Sequence, residues 1–499
     1  MKPLLTRDAA RRFDGRIVDA GVPGLLLMEN AGRGAAELFL RRFSGRLGRV
    51  VVVGGTGQNG GDAWVVARRL LTHGVRPEVF LAGSREKVGG DAKVNLEALD
   101  ALDLRVTELT GDDLSALEGA LASATAIVEG LFGTGLDRPI EGWRRALVER
   151  LDAASAPIFA LDLPSGIDAD TGRVLGVALH AELTATFAGH KRGLWQTPGR
   201  AHAGETVCVD IGVPGPRVED GLLELSDAAR WLPPRALAAH KGTAGHLVVV
   251  AGSPGKSGAA LLCGHGAMRA GAGLVTLAPR GEARDALELR VHELMTMALP
   301  DEPLDLSDGK DAAVVGPGLG LDDAGKALAV QLATGLSIPA VLDADALTAL
   351  AEEGASVLRS SPPRVLTPHP GEAARLLGCK SADVQADRYA AAKKLVSLTG
   401  QVVVLKGAGT LVAAPGKLVV CPFGTPALGV AGTGDVLAGA IGAALAGGVE
   451  PFEAACAMVL LHARAGERAS LSDRGLFARE VADALPAALE EARAAGERR

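Results

Sequence analysis

Short unbroken apolar runs alternate along this chain with stretches whose apolar residues recur every three or four positions. In the first half, "RVVVVGG" leads into "WVVARRLLTHG", which is apolar at helical spacing and closed by glycine; "RPEVFLAG" follows. The runs "ATAIVEGLFGTG", "APIFALDLPSG", "AELTATFAG" and "ETVCVDIG" come next. Continuous apolar strands separated by amphipathic helices predict a parallel sheet covered on both faces. Ahead of the first strand, "VPGLLLMENAGRGAAELFLRRF" reads as a helical extension.

The pattern breaks around residues 214–236, where a polar stretch and the two prolines of "WLPPRAL" read as a linker. A second strand series then begins: "HLVVVAGS", "GLVTLAP", "DAAVVGPG", "IPAVLDAD", "PRVLTPHPGE" and "QVVVLKGAG". It ends in the Gly-rich "GVAGTGDVLAGAIGAALAG". The expectation is an α/β protein of two domains, residues 1–215 and 236–499, with no strong repeat relating them.

Composition fits this picture. A chain of 499 residues is too long for one ordinary core. It is 48% apolar, 22% charged and only 3% aromatic, with abundant glycine, which suits close-packed layers joined by tight turns. A formal net charge of −7 gives no general attraction to nucleic acid or anionic membranes. Cys208, Cys263, Cys379, Cys421 and Cys456 are scattered without C-x-x-C spacing, as expected of buried free thiols in a cytoplasmic protein. The start "MKPLLTRDAARRFD" lacks the apolar run of a signal peptide. The most apolar stretch, 436–449, is too short and Gly-rich to span a bilayer and reads as a buried helix.

Candidate chemistry begins at "GGTGQNGGDAW", which contains Gly55-x-Gly57-x-x-Gly60 behind a strand. That spacing alone is a weak sign of dinucleotide binding. A hydride-transfer enzyme would place an acid at the tip of the second strand to hold a ribose, and here Glu78 comes before the strand instead. Two further strand ends are polar: Glu129, followed by Gly133-Thr134-Gly135, and Asp162 with Ser165 in "LDLPSG". Ligands of open parallel sheets bind beyond the carboxyl ends of strands, so Asn59, Glu129, Asp162 and Ser165 can converge. An amide, a carboxylate and a hydroxyl are hard oxygen donors suited to a hard cation.

The succession "NGGD", "LFGTGL", "LDLPSGIDADTG" and "TFAGHKRGL" resembles the YjeF N-terminal family of NAD(P)H-hydrate epimerases, over about the first 215 residues. The resemblance implies a Rossmann-like αβα sandwich. It implies a substrate in which water has added to the nicotinamide ring, and interconversion of its R and S epimers. By motif position it implies potassium at Asn59, Glu129 and Ser165. The hydrate would lie against Gln58, Asn59, Gly60, Gly61 and Asp62, and against Gly133, Thr134, Gly135, Leu136, Asp137, Arg138 and Pro139. Asp162 would be the acid–base group, moving a proton at the ring hydroxyl, with Lys191 beside it. The family usually has Asn where this chain has Gln58, and Asp where it has Glu129.

In the second half, "GVAGTGDVLAGAIG" is a glycine turn opening a helix, a ready anion site with Asp435 at the helix start. There Asp435 can take a proton from a hydroxyl that attacks a phosphoryl group. Small residues at Ala438, Gly439, Ala440 and Gly442 let that helix pack closely. The terminal Gly-x-Gly-Asp resembles that of the ribokinase superfamily. "HKGTAGHLVVVAGSPGKSGAA", "RAGAGLVTLA", "VVGPGLG", "VLTPHPGE" and "VLKGAGTLV" extend the likeness to the YjeF C-terminal family of NAD(P)H-hydrate dehydratases, from about residue 236. That resemblance implies a ribokinase-like αβα domain that dehydrates the S hydrate using ADP, or ATP, with Mg2+. It implies hydrate contacts at Ala272, Gly320, His369 and Asp435, and nucleotide contacts at Lys406, Gly407, Ala408, Gly409, Thr410 and Gly434. His246, His265 and Arg269 lie near motifs without a clear role. Relatives imply a homo-oligomer. The alternative is a small-molecule kinase fused to a nucleotide-binding module, which would yield a stable phosphorylated product.

Overall fold

The computed structural model describes residues 1–497, and the chain divides into two compact units, Lys2–Val218 and Glu219 onward together with Met1. The first unit opens with a short strand, Lys2–Leu5, which pairs in parallel with His190–Lys191; helices α1 (Arg7–Asp19) and α2 (Gly24–Arg42) follow it. A seven-stranded sheet is built next, of β1 (Val50–Gly54), β2 (Glu78–Ala82), β3 (Val106–Leu109), β4 (Ala126–Gly130), β5 (Ile158–Leu161), β6 (Leu183–Phe187) and β7 (Glu205–Val209). They pair in parallel in the order β3-β2-β1-β4-β5-β6-β7. Strand β3 has no counterpart among the expected runs, because "VTEL" alternates with polar residues near the sheet edge.

Valines 50–53 are all buried, since helices cover both faces. On one face Trp64, Val65 and Leu70 of α3 (Gln58–Thr72) pack with Phe39 and Phe43. On the other, Leu147, Val148 and Leu151 pack with Val51 and Ile127. The order reverses between β1 and β4, and such a reversal opens a crevice beyond the strand ends.

The second unit holds ten strands: β8 (Asp220–Leu222), β9 (His246–Val250), β10 (Leu274–Leu277), β11 (Met295–Thr296), β12 (Ala312–Val315), β13 (Ala340–Leu342), β14 (Arg364–Leu366), β15 (Val402–Leu405), β16 (Leu411–Ala414) and β17 (Lys417–Val420). Their order is β11-β10-β9-β12-β13-β14-β15-β16-β17-β8. All neighbours are parallel except β15–β16 and β16–β17, which form an antiparallel meander absent from the expected strands. The segment expected as a linker is structured in part. β8 pairs with β17, and residues 225–231 form a helix with a capping box. A three-residue strand beside prolines carries no periodicity to reveal it.

Helices α4 (Ser257–Ala270), α5 (Pro370–Leu377), α6 (Thr433–Ala446), α7 (Pro451–Ala469) and α8 (Ala478–Glu497) complete the parts used below. Every residue of α6 from Val436 to Ala446 is buried. Cys263, Cys421 and Cys456 are buried as expected, whereas Cys379 is exposed and Cys208 half-buried. Among the described residues no helix is long and apolar enough to cross a membrane.

Candidate active sites

In the first unit the loop after β1 turns directly into α3. A Cβ on Gly60 would sit 1.9 Å from the Gly55 carbonyl oxygen, so only glycine lets the loop fold back on its helix. The loop, the chain after β4 and the end of β5 surround a cavity of about 840 Å3, within the range of cofactor sites. Gln58, Asn59, Asp62, Gly133, Thr134, Gly135, Leu136, Arg138, Pro139, Asp162 and Lys191 line it. Gly60 and Gly61 are buried in the first turn of α3, and Asp137 is exposed; none of the three faces the cavity.

Asp162 has φ +64°, unusual for a residue with a side chain, and such strain is kept where surrounding structure enforces it. Its carboxylate meets the Lys191 ammonium at 2.5 Å, and Lys191 also donates to Thr186 Oγ1 (3.1 Å) and the Phe187 carbonyl (2.7 Å). Lys191 is only 2% exposed, so the pair is held rigidly at the cavity wall. Asp62 is buried beside it, and burial together with the Asp162 and Asp14 charges pushes its carboxyl well above the usual carboxylate range.

Glu129 and Ser165 lie behind this wall. Ser165 Oγ donates to Glu129 Oε1 (2.5 Å), and the Leu131 (2.6 Å) and Ser165 (3.2 Å) amides donate to the same carboxylate. Burial nevertheless pushes Glu129 up to about 7. Asn59 Nδ2 donates to the Leu161 carbonyl (3.0 Å), while its buried Oδ1 has no partner. A buried amide oxygen without a donor, near a buried carboxylate costly to ionise, is what a bound cation would satisfy. The donor set therefore fits a hard cation.

The second site forms beyond the carboxyl ends of β12–β15. Lys406, just after β15, pairs with Asp343 at 2.7 Å; Asp343 follows β13 and is 1% exposed. Burial opposes the charge on Lys406, but Asp343 and Glu372 outweigh it and raise its pKa. Thr410 Oγ1 donates to the Gly407 carbonyl (2.8 Å), closing the 406–410 loop, while Ala408 stands exposed and Gly409 buried. A Cβ on Gly434 would lie 3.3 Å from Lys406 Nζ and 3.9 Å from Asp343 Oδ2, which puts the start of α6 against this pair. Asp435 in that first turn is pushed up to about 7, by burial first and then by the Asp343 charge, with Lys406 opposing. His462 of α7 underpins the turn through Nε2 to the Thr433 carbonyl (2.9 Å).

His369 caps α5: its Nδ1 accepts from the Gly371 amide (3.0 Å), while its backbone amide donates to Glu372 (2.7 Å). Its ring is half exposed, with Nε2 turned to Glu372 Oε1 at 3.4 Å. Gly320 stands in the same region, its amide donating to Asp345 (2.8 Å). Ala272 is not brought here. It follows α4 and precedes the amino end of β10, at the edge of the sheet opposite to Lys406 and Asp435. The alanine near the site is Ala259, whose Cβ lies 3.0 Å from the position a Cβ on Gly318 would take.

Sequence reasoning also missed Asp343 and Asp345. The intervening Ala344 has φ +51°, a second strained residue at a site, and "LDAD" after a strand was the available signal.

Residues 24–193 match the family described as YjeF-related protein N-terminus, and residues 247–486 the family described as NAD(P)H-hydrate dehydratase. The chain is 39% identical to a bifunctional NAD(P)H-hydrate repair enzyme of Moorella thermoacetica, over 93% of this chain and 92% of that protein. A protein of the same name from Thermofilum pendens is 37% identical over 98% of this chain and 95% of its own. The solved structure of a ribokinase-like superfamily protein from Enterococcus faecalis aligns with a TM-score of 0.50 at 24% identity, covering 55% of this chain and 96% of that one, a likeness of fold. The chain belongs to the family of bifunctional NAD(P)H-hydrate repair enzymes.

Proposed function

We propose that this protein repairs hydrated NAD(P)H in two steps, one in each unit. The first unit interconverts the R and S epimers. Asp162, fixed by Lys191, moves the proton at the ring hydroxyl, while the loop at Gln58–Asp62 and the Gly133–Pro139 segment hold the nucleotide. Arg11, Arg138 and Arg144 at the cavity give its phosphates positive partners. Asn59, Glu129 and Ser165 would hold potassium, which supplies a fixed positive charge behind the reacting centre.

The second unit removes water from the S epimer at the expense of ADP, or of ATP. Asp435 takes the proton of the hydrate hydroxyl as its oxygen attacks the terminal phosphoryl group. Phosphate then leaves, and the ring double bond returns. Hydroxide is a poor leaving group and phosphate a good one, which is why a nucleotide is consumed. Lys406 to Thr410 and Gly434 serve the nucleotide, and Gly320 and His369 the hydrate. Mg2+ would arrive on the nucleotide phosphates and neutralise charge on the group in transfer. The protein is expected to act in the cytoplasm as a homo-oligomer, on small molecules, without nucleic acid or membrane.

The observation that carries the reading is the pair of aspartates: Asp162 ion-paired at the cavity wall, and Asp435 poised near neutral pH at a helix start. Near full-length likeness to bifunctional relatives disfavours the kinase alternative. The test is recovery of dihydronicotinamide absorbance from mixed R and S hydrates, with potassium, Mg2+ and ADP, ATP or no nucleotide. Nucleotide-dependent recovery of both epimers is expected, limited to the S fraction by Asp162→Ala and abolished by Asp435→Ala. No recovery with any nucleotide would reject the reading.

A further inference from the structure

Asp14 is a charged group at the first cavity that neither the motifs nor the family match explains. It lies on α1, ahead of residue 24 where the match begins. Ala10, Arg11, Phe13 and Asp14 of this helix line the cavity opposite no motif of their own, yet in the same space as Asp162 and Lys191. The Lys191 and Asp162 charges act on Asp14, and the Asp14 charge acts in turn on Asp62. Asp14, Asp62 and Asp162 thus gather around one ammonium, in a cavity that Arg11, Arg138, Glu141 and Arg144 also line.

Neighbouring carboxylates disfavour one another's ionised form. Asp162 takes the cation, at 2.5 Å from Lys191. Asp62 also lines the cavity but is 9% exposed, on the α3 wall three residues beyond Asn59. Asp14 is the accessible one of the other two. Its carboxyl is raised by the surrounding protein and by Asp162, with Lys191 opposing. A carboxylate ion-paired on one wall and a second carboxyl group on another, pushed up by its surroundings, are the arrangement acid–base pairs use.

Inverting a hydroxyl-bearing carbon calls for two proton events. The hydroxyl must gain a proton to leave one face, and the water that returns on the other face must lose one. A lone carboxyl group on one wall serves only one of these events at a time.

We propose that Asp14 is a second catalytic acid–base residue of the epimerase, working from the α1 wall against Asp162 on the β5 wall. This rests on the epimerase reading above. Asp14 as the acid gives its proton to the hydroxyl oxygen. The carbon–oxygen bond breaks with its electron pair leaving on water, and the ring nitrogen lone pair forms a carbon–nitrogen double bond. Water then adds to that carbon from the other face, the double-bond pair returns to nitrogen, and one water proton passes to the Asp162 carboxylate. One water leaves and one enters. One proton moves from Asp14 to Asp162, and turnover in the opposite direction or exchange with solvent returns it.

The experiment uses the full chain and the pure S epimer of NADPH hydrate without nucleotide, following the appearance of the R epimer. Asp14→Asn is expected to lower kcat for epimerisation about 100-fold or more, the usual range for a lost acid–base group, with KM changed less than about threefold. Asp14→Glu should recover much of the rate. The wild-type rate should fall on the alkaline side as Asp14 ionises, a limb missing from the residual Asp14→Asn activity. Asp62, Asp162, Lys191, Arg11 and Arg138 face the same space and shape that profile. Nucleotide-dependent dehydration of the S epimer and the melting curve, unchanged in both variants, would show intact folding. Wild-type-like kcat in Asp14→Asn, or a loss confined to KM, overturns the proposal and leaves the epimerase reading standing. A wild type that forms no R epimer overturns both.

Discussion

Asp435 owes its poise to burial first and then to Asp343. Both carboxyl groups crowd one pocket around Lys406, and the charge of Asp343, after burial, is what lifts Asp435 to about 7. A base must be ionised, so dehydration should rise with pH through about 7. Asp343→Asn removes a negative neighbour and leaves Lys406 positive. The acid limb of kcat should then move down by about one unit or more, with lower kcat because Lys406 loses its tether. Dehydration rates between pH 5 and 9 read this, and an unmoved limb would sever the link between the two aspartates. Little of it is legible in the chain. Asp435 is marked by the glycines of "GTGD", whose spacing has a geometric reason. Asp343 follows a strand in "LDAD" as countless aspartates do, and only the fold brings Lys406 across 63 residues to meet it. Asp14 is one of several charges on an amphipathic helix, with nothing local to set it apart.

At the level of elements, the α4–α6 contact does most to place the second site. A Cβ on Gly439 would fall 1.9 Å from the Cys263 carbonyl oxygen, and one on Gly266 would fall 2.3 Å from that of Val436. The helices touch backbone to backbone, which the small residues at 438–442 foreshadow. Gly439→Ala should force α6 away from α4 and cost about 3 kcal/mol, the upper part of the overpacking range. It should also loosen the Thr433–Asp435 turn, so chemical denaturation and dehydration rate should both register it. A variant as stable as wild type would mean that the pair can slide apart freely. Elements with strong periodicity or glycine punctuation were readable from the sequence. Others were not: β3, too polar at an edge; β8 and the 225–231 helix, in a segment that reads as a linker; and the β16–β17 meander, behind a glycine-rich loop. The motif-like "GAGLV" drew attention to Ala272, at the wrong end of β10.

Across the whole molecule, burial holds several acids near neutrality: Glu129, Glu372 and Asp435 are each pushed up to about 7. Their folded values stand above their unfolded ones. The stability they contribute is therefore complete below about pH 4 and is lost as pH rises through 7. The ligand-free protein should melt at progressively lower temperature from pH 5.5 to 8.5. Glu372→Gln, which keeps an acceptor for the His369 amide, should flatten part of that slope, by no more than about 3 kcal/mol. Thermal melts across this range test it, and a flat wild-type profile would contradict it.

The boundary between the units has a last consequence, for how such a chain can be divided. β8 lies before the prolines that look like a joint, and it pairs with β17 of the dehydratase sheet. A gene split made at those prolines would hand the strand to the wrong fragment. β17 would then become an open edge of unpaired amides and carbonyls backed by Leu418, Val419 and Val420, the kind of surface that recruits other chains into aggregates. The compact unit begins near Glu219, and a fragment cut by composition alone should be sticky for a reason its own sequence does not contain.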